Sequence, residues 1–100
     1  MAQKPRYTLY WKDTALGIIE PTGTDFPWQS GRFFPEHLAP TFIDLFNFIV
    51  EENSFEQDPP FNAEFLADDH WLLKTAEGDE IGICLPAVYL DEGEIWWRMR

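Results

Sequence analysis

Asp68-Asp69-His70 is the one local cluster in this sequence with the side chains of a metal site. Carboxylates and imidazole are common ligands of divalent metals, and on an extended chain Asp68 and His70 would point to the same side. A stable site needs three or four converging donors, so another acid such as Glu64 would have to join them. The alternative is a solvated turn before a strand. Because so acidic a sequence brings such residues together by chance, we predict neither a metal site nor a cofactor.

The single cysteine, Cys84, is the only candidate for a thiol nucleophile. Such a nucleophile would need His37 or His70 beside it, but Cys84 lies in the apolar run 81–85, which predicts an inert, buried thiol. The sequence contains no P-loop, GxGxxG, HExxH, paired CxxC or GxSxG motif. We therefore predict no catalytic residue and favour a non-enzymatic function over an enzymatic one.

Aromatic and arginine side chains form a further group, suited to binding. Trp28 and Arg32 lie in the stretch 22–34 and belong to residue types that are enriched in interface hot spots. Trp28 could equally cap the core, with Arg32 paired to Asp25. On the last predicted strand, Trp96 is either a binding residue or a partner of Arg98 in cross-strand packing or a cation–π contact.

Phe48 is a candidate because it projects from the polar side of a predicted helix, beside Glu51 and Glu52. A helix covered on two sides would bury Phe48, whereas an open face would make it an anchor for a partner. The candidate binding residues are therefore Trp28, Arg32, Phe48, Glu51, Glu52 and Trp96.

The charge of the chain is concentrated in one block. The net charge is −11 over 100 residues, and residues 51–80 contain ten acids against Lys74 alone. This balance argues against binding to nucleic acid or to anionic membranes, both of which require cationic surfaces. The block either keeps an aromatic-rich domain soluble or steers a basic protein onto the surface.

The elements that must position these residues follow from the periodicity. Residues 7–12 and 16–20 read as a β-hairpin, and the stretch 22–34 reads as a long, ordered loop. An amphipathic helix should begin near Pro40, because proline is tolerated in the first helical turn. Further strands are predicted at 71–75, at 80–85, which resumes at 87–90 after the interruption by Pro86, and at 94–100.

Together these elements predict a single α+β domain over residues 1–100. Its antiparallel sheet of about five strands packs against one main helix, in the order β-β-loop-α-β-β-β. A chain of 100 residues suits one domain, and an aromatic content of 17% can supply its core. Because no apolar run suits a signal peptide or a membrane span, we expect a cytoplasmic protein.

Four segments carry a resemblance to other proteins. The order of LGII (16–19), DFPW (25–28), GRF (31–33) and GEIWWR (93–98) around the helix resembles small, acidic, uncharacterised bacterial proteins. The likeness spans most of the chain and implies a bacterial cytoplasmic domain, but no activity and no catalytic residue. In size and acidity the chain is also similar to toxin-immunity proteins and other protein inhibitors.

The function that we expect is that of a non-enzymatic, acidic interaction module, of the inhibitor or immunity type, for a basic protein. The alternative is a small-molecule binding or catalytic domain, with an aromatic pocket between the 22–34 loop and the helix lined by Trp28, Phe33 and His37. A homodimer through an exposed edge of the terminal hairpin is a third arrangement. The sequence does not decide the stoichiometry.

Overall fold

Residues 6–51 and 63–100 are described by the computed structural model of this protein. The strands are β1 (Tyr7–Trp11), β2 (Thr14–Asp25), β3 (Trp28–Pro35), β4 (Trp71–Thr75), β5 (Glu80–Gly82), β6 (Ala87–Tyr89) and β7 (Glu94–Trp97). The helices are α1 (Pro40–Val50), α2 (Ala63–Leu66) and a 3-10 helix (Asp68–His70). The predicted α+β class, antiparallel sheet and single main helix are confirmed. The predicted strand number and order are wrong, because the sheet has 7 strands and one of them replaces the predicted loop.

Helix α1 forms where apolar residues repeat at the helical period. Pro40 occupies the first turn of the helix, where a backbone N–H has no intrahelical acceptor. The absence of an N–H in proline therefore costs no hydrogen bond there. Phe42, Leu45 and Phe46 are spaced i, i+3 and i+4, and all three are buried. The predicted start and amphipathic character of this helix are therefore confirmed. No helix in the described part of the chain has the length and apolar character needed to cross a membrane.

The sheet curls until its two edges meet. Its order is β5-β4-β1-β2-β3-β7-β6, and all of these pairs are antiparallel. Just beyond β5 and β7, the N–H of Cys84 donates to the carbonyl of Arg98 (3.0 Å) and the N–H of Arg100 donates to that of Gly82 (3.2 Å). These bonds close the sheet into a barrel. Strands β5 and β6 belong to one extended segment that runs beside β7 and the residues after it. Pro86 interrupts this segment between the two strands.

The barrel has two ends, between which the functional residues are divided. Tyr7 in β1 lies opposite both Ile19 in β2 and Thr75 in β4. Beyond these residues, β2 continues into its hairpin with β3, and β4 continues into the turn 76–79. Both features therefore leave the barrel in the same direction, and we call this the hairpin end.

The opposite end is covered by the helices. Trp11, at the other end of β1, pairs with Trp71 in β4. Its ring contacts Phe42 of α1 (5.7 Å between centroids) and stacks on Phe65 of α2 (4.6 Å). We call this the helix end.

The core joins the inside of the barrel to α1. Phe46 contacts Phe33 of β3 (6.3 Å between centroids) and Trp71 of β4 (5.9 Å). Residues that alternate along the strands point inward and are excluded from solvent, which sets the inner face of every strand. The buried apolar residues are Leu9, Leu16, Ile19, Phe33, Phe42, Leu45, Phe46, Trp71, Leu73, Ile83, Val88, Ile95 and Trp97.

The stretch 22–34, predicted as a loop, is instead the outer part of the β2–β3 hairpin. Pairing runs from Gly17–Pro35 to Asp25–Trp28, so Phe26 and Pro27 alone form the turn. The peptide bond between these two residues is cis, as in type VI turns. The outer part of the hairpin is thus an ordered β-ladder.

Two local features hide the strand period of this stretch in the sequence. A bulge between Pro21 and Gly23 shifts the register of the ladder. The backbones of β2 and β3 approach closely at Gly31, so that only glycine fits there. A Cβ at this position would lie 2.7 Å from the carbonyl oxygen of Glu20. The glycines and prolines that predicted a loop therefore mark a bulge, a close approach and a tight turn.

Replacing Gly31 by alanine should destabilise the protein by about 1–3 kcal/mol, since the clash is with backbone held by strands on both sides. The matched control is Gly23→Ala, whose Cβ would meet only the rotatable hydroxyl of Ser30, at 3.3 Å. We expect the control to change stability by less than about 0.5 kcal/mol. Urea denaturation of the two variants measures the difference, and equal stabilities would contradict the proposed register.

Candidate functional site

Three of the predicted binding residues lie on one surface, the outer face of β3 and β7. Trp28 and Arg32 are on β3 at an even spacing, so their side chains point to the same face. Trp96 in β7 lies opposite Ser30, midway between them. Arg98 follows Trp96 on the same face. We call Trp28, Arg32, Trp96 and Arg98 the β3–β7 strip.

The cation–π contact in this strip involves Trp28 rather than Trp96. The guanidinium carbon of Arg98 lies 5.6 Å from the centroid of the Trp28 ring. Trp96 instead donates from Nε1 to the carboxylate of Glu94 at 2.8 Å. Trp28 remains 37% exposed. Arg98 therefore orients an indole that remains partly exposed to solvent.

Arg32 is exposed and does not pair with Asp25. In the ladder Arg32 lies opposite Glu20 in β2 and Glu94 in β7, whereas Asp25 lies opposite Trp28. Within residues 6–51 and 63–100, Arg32 takes part in none of the ion pairs. Its guanidinium is thus a surface charge between two strands that carry carboxylates.

The tip of the hairpin holds a candidate that the sequence interpretation missed. Phe26 is 90% exposed, beside Pro27 at the turn. Below the turn, the hydroxyl of Thr24 donates to Oε1 of Gln29 at 2.8 Å across the ladder. The signal that could have found Phe26 is the Phe-Pro dipeptide between Thr24 and Gln29, read as a two-residue turn between strands.

The remaining predicted binding residues lie elsewhere. Phe48 is half-buried on α1, and Glu51 is exposed directly after the last residue of that helix. Glu52 lies outside the described residues. Because α1 packs against the inner side of the sheet and the β3–β7 strip is on its outer side, these residues do not form one site with Trp28.

The acidic block of the sequence is divided in space. Asp68 and Asp69 precede β4 at the helix end, and Glu77 and Asp79 follow β4 at the hairpin end. Strand β4 alone separates the two groups by roughly 15 Å, at about 3.3 Å per residue. The residues 52–62 of the block lie outside the described part, including Pro59-Pro60. The described acids therefore form two groups, each smaller than the block suggested.

At the helix end two acids have structural partners. The carboxylate of Glu64 accepts a hydrogen bond from Nζ of Lys12 at 2.8 Å, and this bond and the attraction of the ammonium lower the pKa of Glu64 from 4.5. Asp68 Oδ1 accepts a 2.7 Å hydrogen bond from the backbone N–H of Leu85. These contacts tie α2 to β1 and the 3-10 helix to the segment after β5.

The Asp68-Asp69-His70 cluster shows no arrangement of metal ligands. Among the described residues, no group of three or more His, Cys, Asp or Glu side chains is placed to hold a metal ion. Asp68 is engaged with Leu85, and the carbonyl of His70 accepts a hydrogen bond from the backbone N–H of Lys12 at 2.8 Å. The arrangement found is a hydrogen-bonded turn that leads into β4.

The three residues named for a small-molecule pocket do not converge. Trp28 and Phe33 lie on opposite faces of β3, since their spacing is odd. Phe33 is 2% exposed and packs on Phe46, while His37 is exposed after the end of β3. The space between β3 and the helix is therefore occupied by core side chains at Phe33.

Comparisons with known proteins assign no family. No protein-family model matches this chain, and no curated protein or solved structure matches it. The resemblance to small, acidic bacterial proteins thus stays a prediction.

Replacing Lys12 by glutamine should raise the pKa of Glu64 towards 4.5, because it removes the hydrogen bond and the charge that lower it. With the lowered pKa, the Glu64 carboxylate stabilises the fold above its unfolded-state pKa, and this contribution is lost as the pH falls through the folded value. A titration of Glu64 by NMR measures the shift. Lys74→Gln, which removes the cation paired with Glu80, is the control and should leave Glu64 unchanged.

Asp68→Ala should lower the free energy of unfolding by about 1 kcal/mol, since it removes the acceptor of the Leu85 N–H. Asp68→Asn retains an oxygen acceptor and should recover most of this loss. Asp69→Ala is the matched control, because Asp69 is exposed and makes no side-chain hydrogen bond within the described residues. Thermal or urea unfolding would contradict the assigned role if Asp68→Ala and Asp69→Ala were equally stable.

Proposed function

We propose that this protein is a non-enzymatic interaction module that binds a basic protein, in the manner of an inhibitor or immunity protein. The observation that carries the proposal is that exposed aromatic side chains and acids without ion pairs occur together at the hairpin end. Phe26 and Trp28 are exposed there, and so are Asp25, Glu77 and Asp79. This combination suits a surface that attracts a cationic protein and then makes apolar contact with it.

The helix end contrasts with this surface. Its aromatic side chains pack on one another, as Trp11 does on Phe42 and Phe65. The carboxylate of Glu64 pairs with Lys12, and that of Asp68 accepts a backbone hydrogen bond. The aromatic side chains thus support the fold at the helix end and remain exposed at the hairpin end, whereas exposed acids such as Asp13 and Asp69 also occur at the helix end.

Among the described residues, the acids Asp25, Glu77 and Asp79 at the hairpin end have no cationic partner. Three ion pairs join described residues, namely Arg6–Glu20, Lys12–Glu64 and Lys74–Glu80, and Glu77 and Asp79 belong to none of them. With a net charge of −11, the chain attracts a basic protein from a distance of about one Debye length, roughly 10 Å at 0.1 M salt. Such attraction raises the association rate more than the final affinity.

The first test is capture of partners from an extract of the cell that encodes the protein. The intact chain is immobilised and washed at about 50 mM and about 150 mM salt, which spans a useful range of screening. We expect retention of a protein with positive net charge, identified by mass spectrometry, and weaker retention at the higher salt. Retention of no protein, or of acidic proteins alone, would contradict the proposal.

The double substitution of Glu77 by Gln and Asp79 by Asn should lower the association rate with that partner about 3- to 10-fold at low salt. The reason is that both exposed charges are removed while the backbone hydrogen bonds of the turn remain. The matched control removes two exposed charges at the helix end, through Asp13→Asn and Asp69→Asn. Stopped-flow kinetics compares the two variants, and an equal effect would show that net charge alone, without the hairpin end, governs the encounter.

A further inference from the structure

Phe26 has no role in the fold that would account for its position. It is 90% exposed, whereas the next most exposed large apolar side chains within residues 6–51 and 63–100, Met99 and Phe34, reach 49% and 48%. The core of the barrel is formed without it. An aromatic ring placed so fully in water at the end of a projecting element is the arrangement expected of an anchor that is buried in a complex.

The hairpin that presents Phe26 is held in shape before any partner binds. Backbone pairing reaches Asp25 and Trp28 on either side of the turn. Thr24 is hydrogen-bonded to Gln29, and the ring of Trp28 is held under Arg98. Little conformational entropy is therefore lost when the tip is immobilised in a complex, which favours a tip that acts as a rigid knob.

Charge identifies the occupant of the complementary site. Asp25 adjoins Phe26, and Glu77 and Asp79 project from the same end of the barrel without ion pairs within the described residues. Two copies of this chain would each bring a net charge of −11 to a shared interface, so a second copy is disfavoured. A protein with Lys or Arg around an apolar pocket meets both requirements.

We infer that Phe26 at the tip of the β2–β3 hairpin inserts into an apolar pocket on the basic partner, and that Lys or Arg side chains at the rim of this pocket face Asp25. Glu77 and Asp79, which lie farther back at the hairpin end, add to the long-range attraction. The inference rests on the proposed function and specifies how the partner is recognised. Phe26 is the anchor, and Trp28 supplies the neighbouring contact on the β3–β7 strip. The acids govern the encounter, whereas the buried ring governs the lifetime of the complex.

The test uses the intact chain and the basic protein retained from the extract, once that protein is purified. Phe26→Ala should raise Kd about 10- to 100-fold, mostly through a faster dissociation rate, because a central aromatic anchor is lost. Phe26→Leu keeps an apolar side chain and should lose less affinity than Phe26→Asp. Because Phe26 is exposed, all of these variants should keep the thermal midpoint of the parent chain.

Phe34→Ala is the matched control, because Phe34 is an exposed phenylalanine on β3 far from the turn. It should bind the partner as the parent chain does. If the basic partner bound Phe26→Ala and the parent equally well, the anchor would be refuted while the proposed function stood. If the extract yielded no basic partner, the proposed function and the anchor would both be refuted. A parent chain that sedimented as a dimer and became monomeric on Phe26→Ala would assign the tip to a second copy and overturn the inference.

Discussion

Backbone pairing between residues 82–84 and 98–100 holds the curled sheet closed, and the rest of the structure depends on it. The guanidinium of Arg100 lies over Gly82, where a Cβ would be 2.5 Å from its Nη2. The guanidinium of Arg100 crosses this position and donates to the carbonyl of Trp71 at 3.3 Å. Closure gives the end of β5 and the segment after β7 hydrogen-bond partners, so that the barrel interior can exclude water.

The same closure orients the outer surface. The carbonyl of Arg98 accepts the hydrogen bond from Cys84, and the alternation of the strand then directs the Arg98 side chain outward, over Trp28. On either side of Arg98 in sequence, Trp97 is buried and Met99 forms the closing bridge with Ile83. The residues that complete the core and those that shape the β3–β7 strip therefore alternate along a single strand path.

Local pattern was sufficient to predict the elements whose hydrophobic period runs without interruption. The start of α1 at Pro40 and the strand at Trp71–Thr75 are confirmed. Strand β3 was missed because Gly31 and the bulge after Pro21 interrupt the alternation that marks a strand. Residue type alone identified Trp28 and Trp96 as candidates. Their shared face depends on the pairing of Ser30 with Trp96, which is non-local and has no signature in either segment.

The acidic block is a second case in which local sequence does not predict which residues lie together in space. Ten acids lie between residues 51 and 80, but β4 runs from the helix end to the hairpin end and carries the following acids away from the preceding ones. Acids that are near in sequence therefore do not form one surface patch. Glu64 and Asp68 instead make hydrogen bonds that stabilise the fold, which composition does not predict.

Net charge and the exposed ring at position 26 are best understood together. A fully exposed aromatic side chain promotes self-association in a neutral protein, whereas repulsion between two copies at −11 opposes their approach. The same negative field that repels a second copy of this chain attracts a cationic protein. A chain with this charge can therefore keep Phe26 in water at the end of a rigid hairpin and still discriminate among the proteins that it meets. Selectivity on this account comes from the pairing of a long-range charge with a short-range apolar contact, and neither feature would provide it alone.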